Sequence, residues 1–399
     1  MPGITRTGEV RHGRVAVVYH FFAHYRGAVL RELLEHGRHE YFLVGDVKDP
    51  APTGILPWDG AESSRFERAP ARFLPGGIMV QRGLLRLALR RDVKAIIYLG
   101  DPHYATTWVS AVLARLSGKR VLFWTIGWHR DEHGMKDFLR RAFLRCANDL
   151  LLYGHYAKMQ GLKRGFAPER MHVVYNSLDV DQQRRAAVAV PAGRAASVRQ
   201  ELFSDPGLPM LICVSRLVPK RRLDLLLDAL VLLRREGFPA NLLLVGEGPE
   251  RVRLERMAQE NDLSVKFFGE CYDETVLAEL LLAADATVAP GMVGLAAMQS
   301  LAYGTPVVTH DDPDRQAPEW EAIVPGQGGV FFRFGDSADL ARAIRECLAL
   351  LGRDSLARRY AGAIIDRFYN PAYQRRVIDR AVAGEPADDL LWMRERAKA

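Results

Sequence analysis

Cysteine is scarce in this sequence, with four in 399 residues. Cys146, Cys213, Cys271 and Cys347 lie far apart, without a CxxC pair or a histidine at metal-ligand spacing. A disulfide framework and a zinc site are therefore disfavoured, and the thiols read as buried. Long apolar runs are also missing, since no stretch approaches the ~20 residues that span a bilayer. Met1 to Arg14 is polar and basic and lacks an apolar h-region, so the expected address is cytoplasmic. With 48% hydrophobic, 9% aromatic and 26% charged residues, collagen-like, coiled-coil and wholly disordered readings are excluded. What is in excess is positive charge: 55 Lys and Arg against 48 Asp and Glu, a net +7. Such a balance attracts nucleic acid, anionic lipid and phosphorylated ligands alike. The length fits two domains better than one.

Apolar runs alternate with amphipathic stretches along most of the chain. Arg14–His20, Tyr41–Gly45, Ala95–Leu99, Val121–Ile126, Leu150–Tyr153 and His172–Tyr175 read as strands. Helices are expected at Tyr25–His36, Met79–Arg91, Trp108–Leu116, Met135–Ala147 and after His155. Asp49–Gly77, rich in Pro and Gly, reads as a long irregular connection. Asp181–Gln200 shows neither a clear strand nor a long apolar face, and 186–200 is taken as a linker. A second alternation follows, with strands at Met210–Val214, Asn241–Val245, Val265–Phe268, Ala286–Ala289 and Pro306–Thr309. Continuous apolar strands between helices indicate parallel sheets covered on both faces. The expected fold class is α/β, with two doubly wound Rossmann-like domains facing a cleft. These are 1–185 and 201–371, with a C-terminal helix at about 372–399 crossing back to the first. Ligands of such sheets bind at the carboxyl ends of strands.

Two segments carry the chemistry. In Val214-Ser215-Arg216-Leu217-Val218-Pro219-Lys220-Arg221-Arg222 a buried strand ends in four cations just before an amphipathic helix. Cations at a helix N-terminus oppose the macrodipole by a few tenths of a kcal/mol, so the placement makes sense with an anion between them. Guanidinium forks suit phosphate oxygens, and a diphosphate is the expected guest. A solvated charge run is the alternative. In Ala289-Pro290-Gly291-Met292-Val293-Gly294-Leu295, a strand ends in a loop whose glycines let backbone amides approach a ligand before a short helix begins. A tight turn favours the same small residues.

Together with LLLVGEGPE, FFGECYDE, GL…MQSLAYGTPVV and the Tyr175-Asn176-Ser177-Leu178-Asp179 segment, these stretches resemble the family-4 retaining glycosyltransferases of the two-domain GT-B fold. The resemblance runs from the first strand to about Phe334. It implies a nucleotide-sugar donor on the C-terminal domain, a glycan or lipid-linked acceptor on the N-terminal domain, and metal-free transfer with retention, without cofactor. Arg216 falls on the family's donor-phosphate arginine and Arg221 on its lysine, with Lys220 beside it. The donor set then comprises Gly246, Glu270, Cys271, Tyr272, Gly291, Met292, Val293, Gly294, Leu295, Gln299 and Glu319. His20, Tyr25, Arg26 and Gly27 form the acceptor side.

The chain departs from the family where carboxylates are usual. Two glutamates eight positions apart are replaced by Gly291 and Gln299. Gln299 still offers neutral hydrogen bonds to a ribose, and Gly291 offers only backbone. The family's N-terminal-domain histidine falls on Ile126, leaving His129 or His133 as substitutes. Glu319 and Glu321 resemble a Pro-Glu loop and are either stand-ins for the missing sugar contact or solvated loop charges. Arg82, Arg86, Arg90 and Lys94 beside leucines, and Lys136, Arg140, Arg141 and Arg145 around Phe138, Leu139 and Phe143, read as basic amphipathic helices. Contact with anionic lipid at the inner face of the plasma membrane is one account; a core stripe under a solvated basic face is the other. The expected function is a retaining glycosyltransferase. Rivals are an inactive nucleotide-sugar-binding subunit and a nucleotide-sugar epimerase, which needs carboxylate acid/base pairs. Nucleic acid is not an expected partner, because the cations lack aromatic interleaving or a reader motif.

Overall fold

The computed structural model describes residues 13–51, 55–128, 130–350 and 355–387. The first domain runs through β1 (Arg14–Phe21), α1 (Gly27–His36), β2 (Tyr41–Asp46), β3 (Phe66–Arg68), β4 (Ala71–Phe73), β5 (Met79–Gln81), α2 (Leu84–Leu89) and β6 (Val93–Leu99). It continues through α3 (Ala105–Leu116), β7 (Arg120–Thr125), α4 (Gly134–Leu144), β8 (Asp149–Leu152), α5 (His155–Lys163) and β9 (Met171–Val173). Among the described residues its main sheet has the order β3-β2-β1-β6-β7-β8-β9, with every pair parallel. Val15, Ala16, Val17 and Val18 alternate between two core clusters, so both faces of β1 are covered.

Two helices, α6 (Val180–Ala189) and α7 (Arg194–Leu202), lead into β10 (Met210–Val214), α8 (Leu223–Arg235), β11 (Asn241–Val245), α9 (Arg251–Glu260), β12 (Val265–Gly269), α10 (Glu274–Ala283) and β13 (Ala286–Ala289). Then come α11 (Leu295–Ala302), β14 (Val307–His310), β15 (Gly329–Phe332), α12 (Ser337–Leu350), α13 (Ser355–Arg367) and α14 (Pro371–Ala383). The second sheet is again parallel, in the order β12-β11-β10-β13-β14-β15. In both sheets the strand order reverses beside the first strand. The crevice at that reversal is where such folds bind ligands, and here the carboxyl ends of β10 and β13 meet there.

The chain crosses back at its end. Asn370 caps α14 by accepting from Tyr373 N at 2.8 Å, and Pro371 sits at the first helical position. Ile378, Ala381 and Val382 of α14 then join the core around β1 and α1. Buried Asp379 accepts from the Tyr41 hydroxyl at 2.8 Å and from Arg38 N at 3.1 Å, while Arg375 lies 3.2 Å from its second oxygen. A further apolar cluster joins Val173 and Tyr175 at the end of the first sheet to Met298, Leu301, Ile323 and Tyr369.

Three local expectations are corrected. Met79–Arg91 is not one helix: Met79–Gln81 pairs antiparallel with Ala71–Phe73, Gly83 is left-handed at φ 86°, and only Leu84–Leu89 is helical. The side chain of Gln81 explains the strand, because its amide is buried and donates to the carbonyls of Tyr19 and Ala69. The basic stripe dissolves with that helix, as Arg82 precedes it, Lys94 lies on β6 and Arg90 pairs with Glu67 and Asp92. Asp49–Gly77 is likewise more ordered than its composition suggests, since it holds β3 and β4. Residues 186–200 hold the end of α6 and most of α7, joined by a short turn at 190–193, rather than an irregular linker, and both helices pack on α10. Their buried positions include Gln183 and Arg199, and Arg199 is satisfied by Asp285 at 2.7 Å. A core face with polar residues hid the helical period.

Candidate active site

The end of β10 is held rigidly from below. Ser215 N donates to Val245 O at 3.0 Å and Leu217 N to Glu247 O at 2.9 Å. A Cβ on Gly246 would come within 2.0 Å of Ser215 O, and one on Gly248 within 2.2 Å of Leu217 O. The Gly246–Gly248 turn is thus the close-packed support of the Arg216 segment, not a wall of the cleft. Arg216 and Lys220 project into solvent and make no ion pair among the described residues. Arg221 is partly buried: Nη1 donates to Met292 O, Nε is buried without a partner, and burial lowers its pKa.

Facing this segment is the Pro290–Gly294 turn. A Cβ at Gly291 would lie 2.4 Å from Lys220 O and 2.9 Å from Arg221 Cα, so the two loops touch through backbone. Between them is a cavity of about 10 Å³, the room of one water, lined by Arg221, Gly291, Met292 and Val293. Val293 N, expected to face a ligand, instead donates to Gln316 Oε1 at 3.0 Å. Gln316 is held in turn by donating to Thr309 Oγ1 and His310 O, each at 2.9 Å. Gly294, at φ 56°, starts α11.

The main cleft, about 630 Å³, lies between the domains. Cys271, Tyr272, Leu295 and Gln299 line it from the second, and His24, Tyr25, Arg31 and Trp58 from the first. Of the donor set, therefore, Cys271, Tyr272, Leu295 and Gln299 share one space. Glu270 is exposed outside that lining. A second pocket of about 270 Å³ in the first domain is lined by His20, Tyr25, Arg26, Asp101, Thr125 and Tyr153 among others, and Tyr25 belongs to both spaces. Burial lowers the pKa of His20, whose Nδ1 lies 3.1 Å from the Tyr104 hydroxyl. Gly27 is buried at the start of α1 against Trp58 and reaches neither space. His129 lies outside the described residues. His133 is exposed at the start of α4, 3.8 Å from Asp131.

The Pro318–Ala322 turn crosses from the second domain to the first. Glu319, 6% exposed, accepts from Asn176 Nδ2 at 2.9 Å; burial raises its pKa, and the charges of Arg26 and Arg221 act against that rise. It is a buried carboxylate between the cationic loops of the two domains, not a solvated charge. Glu321, 1% exposed, accepts from His155 N at 2.7 Å and Tyr156 N at 2.8 Å, and so caps α5 of the other domain. This capping role, and the Trp58 side of the cleft, had no local signal beyond a Pro-Glu loop and one tryptophan in a Pro-rich stretch. Among the described residues, no cluster of His, Cys, Asp or Glu has metal-binding geometry, and no helix is long and apolar enough to cross a membrane.

Residues 196–361 match the family description "Glycosyl transferases group 1". This chain carries a glycosyltransferase domain. The chain is 42% identical over 121 residues to a Mycobacterium tuberculosis protein named GDP-mannose-dependent alpha-(1-6)-phosphatidylinositol dimannoside mannosyltransferase, covering 30% of this chain and 31% of that one. The match therefore spans about a third of that relative's length. A Mycolicibacterium smegmatis protein named for the monomannoside reaction is 27% identical over 317 residues, covering 73% and 79% of the two chains. The solved structure of Anabaena Alr3699/HepE in complex with UDP superposes with a TM-score of 0.68 at 16% identity, covering 93% of this chain and 100% of that one. The glycosyltransferase domain thus sits in a GT-B fold, two Rossmann-like domains about one cleft, as the strand pattern indicated.

Proposed function

We propose that this chain transfers a sugar, with retention, from a nucleotide-sugar donor to a hydroxyl of a glycan or lipid-linked acceptor. The observation that carries this reading is the group Arg216, Lys220 and Arg221, held at the carboxyl end of β10 opposite the Pro290–Gly294 turn and beside the interdomain cleft. The positive charge these residues concentrate at one loop answers that of a departing diphosphate, which is where a glycosyl donor builds negative charge. No metal is needed to supply that charge. Cys271, Tyr272, Leu295 and Gln299 take the nucleoside in the 630 Å³ cleft, and buried Glu319 presents a carboxylate to the sugar in place of the side chain absent at Gly291. Because relatives are named for GDP-mannose, that donor is the first to test.

The reaction closes without an enzymic nucleophile. The bond from the anomeric carbon to phosphate oxygen breaks, the acceptor oxygen bonds to the same face, and its proton passes to the departing diphosphate. Arg216→Ala is expected to lower turnover ~10²–10³-fold, the usual loss of one donor to developing charge, with the unfolding transition unchanged. Near-normal nucleotide release by that variant overturns the assignment. Gly291 and Gln299 favour a second reading, a donor-binding subunit without turnover, and a panel of nucleotide sugars that bind without nucleotide release establishes it.

The acceptor end is proposed to work against a membrane. On α4, Met135, Phe138 and Leu139 are exposed beside Lys136, and Phe73, Leu74 and Ile78 are exposed at the tip of the β4–β5 ribbon. Flotation with anionic vesicles at physiological salt is expected to carry the protein upward, and no flotation removes this part of the proposal.

A further inference from the structure

Arg26 is a cation without an anion. Among the described residues, no carboxylate lies within ion-pair distance of it. Glu319, a carboxylate whose charge interacts with that of Arg26, takes its hydrogen bond from Asn176. The guanidinium is boxed by rings instead, 5.0 Å from the Tyr19 centroid, 5.1 Å from Trp124 and 5.4 Å from Tyr153. Nη2 donates to the Tyr153 hydroxyl, while Nη1 is buried with no hydrogen-bond partner. Removing such a group from water without a counter-charge is unfavourable. The aromatic faces repay part of this, but they satisfy no N–H.

The same side chain lines the 270 Å³ pocket, near the lower end of small-molecule sites, which shares Tyr25 with the donor cleft. We propose that this pocket binds a phosphate ester through the Arg26 fork, so that the acceptor is a phosphorylated polyol. The fork supplies two parallel donors to two phosphate oxygens. Asp101, in the same pocket, is suited to accept from hydroxyls, and it holds the polyol so that one hydroxyl faces Tyr25, which the donor cleft shares. Ile55 and Ile126 also line this pocket and are 37% and 46% exposed, leaving an apolar exit for an ester that continues into a lipid. The word "acceptor" rests on the transferase reading; the phosphate site does not.

The test is binding, in an Arg216→Ala background that weakens the donor-phosphate site. The probes are inorganic phosphate, sn-glycerol 3-phosphate, and vesicles of phosphatidylcholine with or without phosphatidylinositol. Saturable binding of at least one phosphate probe is expected, weakened at least tenfold by Arg26→Gln and partly kept by Arg26→Lys, which preserves charge but not the fork. Binding of the soluble ester assigns the phosphate to a free compound, and binding only to phosphatidylinositol vesicles assigns it to a lipid headgroup. If no probe binds, or if Arg26→Gln binds as the parent does, the site is refuted, whatever the result with nucleotide sugars. Should Arg26→Gln not fold, anomalous scattering from tungstate soaked into crystals of the unmodified chain decides. Density at Arg26 Nη1 supports the site, and density only elsewhere overturns it. Failure of the transferase reading shows separately, as absence of nucleotide release in the parent chain.

Discussion

Gly291 is the position where the resemblance leads one to expect a glutamate, and its surroundings leave no room for a side chain. A Cβ there would lie 2.4 Å from Lys220 O, against about 3.4 Å for an ordinary contact, so a side chain requires the two loops to part by about 1 Å. The obstacle is backbone on both sides, and no rotamer change relieves it. Overpacking of this kind costs about 1–3 kcal/mol. The same displacement breaks the Arg221–Met292 contact that holds the guanidinium at the proposed diphosphate site. Misplacement by ~1 Å reduces rate by as much as ~10². Gly291→Ala is therefore expected to lower unfolding free energy by about 1–3 kcal/mol and kcat/KM by roughly 10–100-fold. Gly291→Glu should be no better than Gly291→Ala, because its carboxylate arrives with the same clash. Denaturant unfolding and nucleotide-release kinetics measure the two effects. A Gly291→Glu variant as stable as the parent and faster would show that the loops have room and that the fit argued here is wrong.

Two further outcomes follow from buried groups away from the diphosphate site. Glu321→Ala removes the acceptor of His155 N and Tyr156 N, and each buried donor left unpaired costs about 1–3 kcal/mol. A stability loss on the order of 2–4 kcal/mol in denaturant unfolding is expected, and a loss below about 0.5 kcal/mol, the range of an exposed site, would contradict the capping role. His310 has its pKa lowered to about 4 by burial, from an ordinary value of 6.5, only partly opposed by Asp312 and Asp311. Between those values the unfolded chain takes up a proton that the folded chain refuses. The contribution is therefore complete above pH 6.5 and is lost as pH falls toward about 4. It amounts to at most about 3 kcal/mol. Unfolding midpoints across that window should show a slope that His310→Gln flattens, and an unchanged slope counts against the burial argument.

Most strands were legible because each is a short apolar run covered on both faces, so composition alone marks it, as in Val15–Val18 or Leu242–Val245. The cations after β10 were legible for the opposite reason, since charge so close to a buried strand has few structural uses. What could not be read was contact over long separations. Asn176 meets Glu319 across 143 residues, and Glu321 meets the start of α5 across 166, and no periodicity encodes either. The α6–α7 pair was lost because its buried face includes Gln183 and Arg199, the latter satisfied by Asp285, a partner that sequence alone does not reveal. Trp58 was lost because a tryptophan in a Pro-rich stretch gives no direction, yet it closes the first domain's side of the cleft.

Glu319 and Glu321 are two residues apart on one short turn, and this spacing links the chemistry to the arrangement of the domains. Glu321 is fastened to α5 by two hydrogen bonds, so the turn is anchored to the first domain although it belongs to the second. Glu319 is thereby placed between Arg26 and Arg221, which come from different domains, and Asn176 fixes its orientation. A carboxylate carried at position 291 would instead belong to the second domain alone and would keep its relation to Arg221 whatever the domains did. Moving that duty to Glu319 makes the proposed sugar contact depend on closure: separating the domains breaks the α5 cap and withdraws the carboxylate together. On the proposed reading, the absence of a side chain at Gly291 and the burial of Glu321 belong to one arrangement, in which the turn fastened to α5 also carries the carboxylate proposed to meet the sugar.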